Sequence, residues 1–169
     1  LAIGDALGLA LSRRRNFTSD DFHKHHPGGM LGIGLRTITE IVRFKVGDNV
    51  TAVLDSMNVG EALNAAKPQE GKRRAGAILL VDDENKLTGI FTDGDLRRLV
   101  IDSSNPMEQT IGEVATKNPR HLNATALVQD AQQLVTQYRV DEIPIVDANN
   151  SPIGLIDVQD LIAMKVVTE

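Results

Sequence analysis

Ile78-Leu79-Leu80-Val81-Asp82, then Gly89-Ile90-Phe91-Thr92-Asp93-Gly94-Asp95-Leu96, is the stretch that decides how this chain folds. It returns sixty-five positions later as Ile143-Pro144-Ile145-Val146-Asp147, then Gly154-Leu155-Ile156-Asp157-Val158-Gln159-Asp160-Leu161. Over the twenty-two residues from Ile78, seven are identical without a gap, and most of the others agree in apolar character. A unit this long that occurs only twice is not a solenoid repeat. It reads as a duplicated βαββα module whose copies bury their faces against each other.

The rest of each copy falls into place around that stretch. Ala77–Asp82 and Leu87–Phe91 flank the turn Asp83-Glu84-Asn85-Lys86, while Ile143–Asp147 and Ile153–Ile156 flank Ala148-Asn149-Asn150-Ser151-Pro152. Both read as strand pairs. The first strand of each pair is apolar throughout, which fits burial on both faces. Upstream, Asn58 with Glu61 makes a capping-box start for a helix through Ala66. Val128, Ala131, Leu134, Val135 and Tyr138 carry a helical period. Helices from Gly94 to about Ile101 and from Val158 to Val167 close the two units. The expected fold class is α/β, of the α+β type. Repeat one runs from about residue 39 to 102 and repeat two from about 110 to 167, related by a pseudo-twofold axis and joined by Ser103-Ser104-Asn105-Pro106.

Residues 1–35 stand apart. Leu1, Ala2, Ala6, Leu7, Leu9, Ala10 and Leu11 make an apolar helix face closed by Arg13-Arg14-Arg15, cations suited to a helix C-terminus. Thr18 with Asp21 starts a short second helix, and Gly28, Gly29, Gly32 and Gly34 then extend the backbone. A helix this apolar implies a partner surface outside the chain, and the lack of an initiator Met reads as a piece of a longer polypeptide.

Composition narrows the function classes. The chain has no cysteine, hence no disulfide framework, thiolate metal site or thiol nucleophile, which suits a cytoplasmic protein. No apolar run approaches the roughly 20 residues of a membrane span. A formal charge of −5 and five aromatic residues argue against a nucleic-acid partner.

Chemistry concentrates at the end of the duplicated stretch. Thr92 lies where a strand turns into a helix, so its hydroxyl and the helix N-terminal amides face an incoming anion. Asp95 is an acceptor placed for two vicinal hydroxyls, as a ribose offers. In the second copy Asp157 replaces the threonine while Asp160 keeps the acceptor. A carboxylate beside a phosphate repels it, so the two clefts are unequal. Thr-x-x-Asp at a helix start is equally a plain N-cap with a first-turn acid. His121, at the opening strand of repeat two, reads as a partly exposed strand residue. Lys72-Arg73-Arg74 reads as a solvated loop or a phosphate contact. In Phe22-His23-Lys24-His25-His26-Pro27-Gly28-Gly29 three readings stay open: a metal site, a solvated helix end, or His26 projecting into an active site beside the rigid Pro27 and two glycines. His23 and His25 cannot share a helical face at metal-ligand spacing, so no metal is expected.

Paired βαββα units ending in Gly-Ile-Phe-Thr-Asp-Gly-Asp-Leu resemble a tandem of cystathionine-β-synthase (CBS) domains, a nucleotide-sensing pair. That resemblance implies that the loop before the matched strand of repeat two, Val140 and Asp141, completes the Thr92/Asp95 pocket, with Asp160 serving the second. The Gly4-Asp5-Ala6-Leu7 and His26-Pro27-Gly28-Gly29 blocks resemble the end of a sugar-isomerase (SIS) domain running into such a pair, as in the arabinose-5-phosphate isomerases of the KpsF/GutQ family. There His26 falls on an active-site histidine, and its imidazole suits ring opening or proton shuttling. The resemblance implies the C-terminal part of an aldose–ketose isomerase interconverting D-ribulose 5-phosphate and D-arabinose 5-phosphate on the way to Kdo and lipopolysaccharide. It implies no required cofactor. The expected regulatory ligand is a cytidine nucleotide sugar (CMP-Kdo), or secondly an adenine nucleotide. Self-association is expected through Leu96, Leu99 and Val100 with Leu161, Ile162 and Val166. The rival readings are a sensing pair from another host, such as a transporter or nucleotide dehydrogenase, and a purely structural dimerisation module.

Overall fold

A computed structural model describes residues 2–15, 33–67, 75–164 and 166. The second helix expected from Thr18, the His-Pro-Gly-Gly block with His26, and Lys72-Arg73-Arg74 lie outside the described residues. Helix α1 (Ala2–Arg14) ends in Arg13 and Arg14, as its cations led one to expect.

Each half contains the strand–helix–strand–strand–helix order of the duplication. In the first, β2 (Ala52–Leu54) leads into α3 (Val59–Ala65), then β3 (Ala77–Val81), β4 (Leu87–Thr92) and α4 (Asp93–Asp102). The second has β6 (Leu122–Asn123), α6 (Val128–Tyr138), β7 (Glu142–Val146), β8 (Pro152–Asp157) and α7 (Val158–Ala163). Asn58 starts α3 as expected, accepting from the Glu61 amide at 2.8 Å while its own amide donates to the Glu61 carboxylate at 3.2 Å. The matched strands are in matched register: Ala77 faces Thr92 and Leu79 faces Ile90 in one half, Glu142 faces Asp157 and Pro144 faces Leu155 in the other. Both pairs slip at the same place, between Leu80 and Val81 and between Ile145 and Val146. The tight turns explain the slip, with Asn85 and Asn150 each at positive φ (61° and 64°), a conformation asparagine tolerates better than most residues.

Two short strands escaped the sequence reading. β1 (Phe44–Lys45), ahead of the first half, pairs antiparallel with β8 of the second, and β5 (Thr116–Lys117), ahead of the second, pairs with β4 of the first. The sheets therefore run β1-β8-β7-β6 and β2-β3-β4-β5, each borrowing an edge strand from the other half. Short helices α2 (Ile38–Ile41) and α5 (Ile111–Val114) precede the borrowed strands and bury Ile38 and Ile111. The exchange welds the halves together. One apolar cluster mixes Phe44, Leu79, Leu87 and Ile90 with Val146 and Leu155, and separate clusters fill each half on either side. The Leu87 amide also donates to the Asn150 carbonyl across the junction at 2.9 Å.

Candidate functional site

A cleft opens at the Thr92 end of the first sheet. Its described lining comes from Asn49 and Thr51 ahead of β2, Leu63 of α3 and Ala66 at its C-cap, the run Ala75–Ile78, and Phe91, Thr92, Asp93 and Leu96. One wall is apolar, the other carries the amides and hydroxyl of a helix start. That is the polarity a base and a phosphate need together.

Thr92 is the N-cap of α4. Its hydroxyl accepts from the Asp95 amide at 3.1 Å and donates to Asp95 Oδ2 at 2.8 Å, and the Thr92 amide donates to that same oxygen at 2.9 Å. Asp95 Oδ1 accepts from Arg98 Nη2 at 2.6 Å. So the plain capping arrangement is fully built, and Asp95 is buried, 8% exposed, beneath the cleft rather than in its lining. Arg98 is 70% exposed, and an ion pair to so exposed a partner contributes little.

The second half departs at each of these points. Asp157 caps α7 by accepting from the Gln159 amide at 2.8 Å. Two carboxylates cannot donate to each other, so the side-chain bond that joins Thr92 to Asp95 cannot form between Asp157 and Asp160. Asp160, 4% exposed, instead accepts from Arg43 Nη1 at 3.2 Å, across the junction. Where Thr51 lines the first cleft, the matching strand position carries Arg120, whose guanidinium lies 3.3 Å over the Tyr138 ring. Two aligned pairs set that match: Val53 on Leu80 and Leu122 on Ile145.

Val140 and Asp141 lie in the loop between α6 and β7. Val140 packs into the second half's own core, and the Asp141 carbonyl accepts from the Val158 amide at 2.8 Å, tying the loop to its own helix. Neither is among the described residues lining the Thr92 cleft. The residue that reaches across is Glu142. A Cβ built on Gly76 would stand 3.3 Å from Glu142 Oε1 and 3.7 Å from Asp93 Oδ2, so the carboxylate lies against the cleft's glycine edge. Burial, then the neighbouring charges of Asp141, Asp157, Asp93 and Asp95, push the Glu142 carboxyl up to about 7. Sequence reasoning missed Glu142, although its place opposite Asp157 in the duplicated register could have drawn attention to it. His121 hydrogen-bonds the Pro119 carbonyl at 3.1 Å and lines no cleft described here. Among the described residues no group of three or more His, Cys, Asp or Glu could hold a metal ion, and no helix is long and apolar enough to cross a membrane.

Two βαββα halves that exchange edge strands, with a cleft at a strand–helix junction, define a paired module of duplicated units. The chain belongs to the CBS domain family, whose model matches residues 38–102 and 111–166. It is 37% identical over 166 residues to an uncharacterized protein of Rickettsia prowazekii, an alignment covering 98% of this chain and 49% of the relative. It is 34% identical over 167 residues to the arabinose 5-phosphate isomerase KdsD of Pseudomonas aeruginosa, covering 99% of this chain and 50% of that enzyme. The chain thus spans about half the length of the curated relatives it matches, and the resemblance to the isomerases extends over nearly all of it. Among solved structures, CBSX2 in complex with AMP superposes with a TM-score of 0.61 at 21% identity, covering 77% of this chain and 96% of that one. The cytosolic domain of the Mg2+ channel MgtE in complex with ATP gives 0.56 at 21% identity, covering 71% and 46%.

Proposed function

We propose that this chain is the nucleotide-sensing CBS pair of an arabinose 5-phosphate isomerase, and that the sensing cleft is the one at Thr92. The observation that carries the reading is the pairing of an apolar slot with the capped start of α4 in one cleft. Thr92 and the α4 amides hold the phosphate, Asp95 takes the ribose hydroxyls as Arg98 moves aside, and the wall around Leu63, Ala66 and Ile78 holds the base. An adenine nucleotide is the ligand this reading favours, because the similar CBS structures named above hold AMP and ATP. CMP-Kdo, first choice on pathway logic, has no such support and enters the test as the rival.

The parent polypeptide interconverts D-ribulose 5-phosphate and D-arabinose 5-phosphate in this proposal, with His26 among its active-site residues and Asp160 at a weaker second cleft. The likeness to KdsD supports this. The module self-associates and regulates an enzyme acting in the cytoplasm. Titration calorimetry of the chain with AMP, ATP and CMP-Kdo tests the ligand. Saturation near one adenine nucleotide per chain is expected. Heat from CMP-Kdo alone would reassign the ligand, and no heat from any of the three would leave a purely structural module.

A further inference from the structure

A second cleft opens about 10 Å further along the same sheet, where Gly89 rather than Thr92 faces β3. Asp55, Thr88, Thr110, Glu113, Lys117 and Asn118 line it, with Leu80 its one large apolar residue. The Gly112 amide donates to the Asp55 carbonyl at 3.0 Å, and a Cβ on Gly112 would stand 2.8 Å from that oxygen. Glycine therefore lets α5 close on the end of β2 and brings Glu113 beside Asp55. The Thr88 hydroxyl is buried with no hydrogen-bond partner, a costly state for a polar atom.

The other half provides an internal control. The bridges Asn58–Thr110 and Thr37–Leu127, with the matched registers of β4 and β8, align the two halves residue by residue. At the matching positions Asp55 becomes Ala124 and Thr88 becomes Ile153, while Glu113 becomes Glu40. Glu40 is satisfied internally: it accepts from the Thr37 hydroxyl at 2.7 Å and from Arg36 at 3.0 Å. The fold thus builds the same corner with apolar or self-paired residues in one half. The polar lining of the first half is a property of these residues and not of the architecture.

We propose that this cleft binds a small, neutral, polyhydroxylated molecule of monosaccharide size. Two carboxylates, an amide and hydroxyls offer the mixed acceptors and donors that vicinal hydroxyls use. With Leu80 as the sole large apolar residue there is no slot for a flat base. Lys117 opposes a metal cation, and two carboxylates against one ammonium oppose an anion. One rotamer step about χ1 exchanges the Thr88 methyl and hydroxyl, so a ligand can draw the buried hydroxyl into the cleft. The site is separate from the Thr92 cleft and does not depend on its assignment.

The test is a 1H–15N titration of the 169-residue chain with D-ribose, D-arabinose and D-glucose in turn. At least one sugar should move the amides of Gly89, Gly112 and Asn118 and leave those of Gly76, Thr92 and Asp93 in place. Asp55→Ala and Thr88→Val, each placing an apolar side chain where the other half carries one, should keep the spectrum folded and weaken binding about tenfold, the effect of losing one good hydrogen bond. Shifts confined to Gly76 and Thr92, shifts unaltered in both variants, or none with any sugar would each overturn the proposal.

Discussion

At the scale of single residues, one replacement separates the two halves. Thr92 can both donate and accept, so it closes a reciprocal box with Asp95 and still presents a hydroxyl at the cleft. Asp157 can only accept: it caps α7 through the Gln159 amide, while Asp160 accepts from Arg43. Thr92→Asp copies the second half into the first. It should leave the helix capped, because Asp caps well, yet cut nucleotide affinity by about tenfold or more, through a lost donor and a charge facing the phosphate. Calorimetry beside a melting curve reads both effects, and unchanged affinity would remove Thr92 from the site. Glu142 makes a second, pH-linked prediction. Its folded pKa is raised from 4.5 to about 7, so between those values the folded chain holds a proton that the unfolded chain has released. Stability therefore falls as pH rises towards about 7, and the cost of the charged carboxylate is fully present above that value. It vanishes below about 4.5, where both states are protonated. Glu142→Gln should stabilise the chain by about 1–2 kcal/mol at about pH 8, a figure discounted for solvent screening, and by nothing near pH 4.5. Equal gains at both pH values would point to packing instead of charge.

At the scale of elements, the borrowed strands are what the sequence concealed. The duplicated stretch announces β3, β4, β7 and β8 because each is a run of apolar residues bounded by a polar turn. Phe44–Lys45 and Thr116–Lys117 are two residues each, too short to show a period, and their partners lie in the other half of the chain. Pattern alone could not find them. Leu161 and Val166, expected on an association face, are instead 0% and 5% exposed in the second half's core, Leu161 from α7 and Val166 from beyond its end. The cap that Thr92 and Asp95 form was legible, because its side-chain chemistry is local, whereas Glu142 was not, because it acquires its meaning only when the halves meet. Gly154 tests the exchange of strands. A Cβ there would stand 2.7 Å from the Phe44 carbonyl, a backbone atom of the borrowed β1 that cannot swing away. At Gly89 the nearest atom is the Leu80 Cδ1 at 3.1 Å, the end of a flexible side chain, with the Thr116 carbonyl at 3.2 Å. Gly154→Ala should therefore cost about 1–3 kcal/mol and Gly89→Ala less, measured by denaturant midpoints. The reverse order would mean that β1 is not held against β8 as described.

At the scale of the whole molecule, the exchanged strands and mixed core predict one cooperative unit. Neither half retains a complete sheet without the other, so a half cannot melt alone, and calorimetric and van't Hoff enthalpies should agree across residues 33–166. Among the described residues, the most exposed large apolar side chains are Val100 and Ile101 of α4, 51% and 72% exposed, with Met107 at 42% just beyond. Apolar side chains clustered this way on a surface mark an interface more often than a solvated face, and a twofold dimer is the commonest way for like chains to cover such a patch. Self-association should follow, and Ile101→Glu should reverse it by placing like charges at the centre of the contact. Because α4 begins at Thr92, a contact on its outer face also bears on the helix that frames the nucleotide cleft. Light scattering of the chain and of the Ile101→Glu variant, each with and without AMP, reads both consequences. A dimer that becomes a monomer on substitution, with nucleotide affinity altered alongside, is the expected result. A monomeric parent chain would sink the interface, and a variant still dimeric would move it off α4.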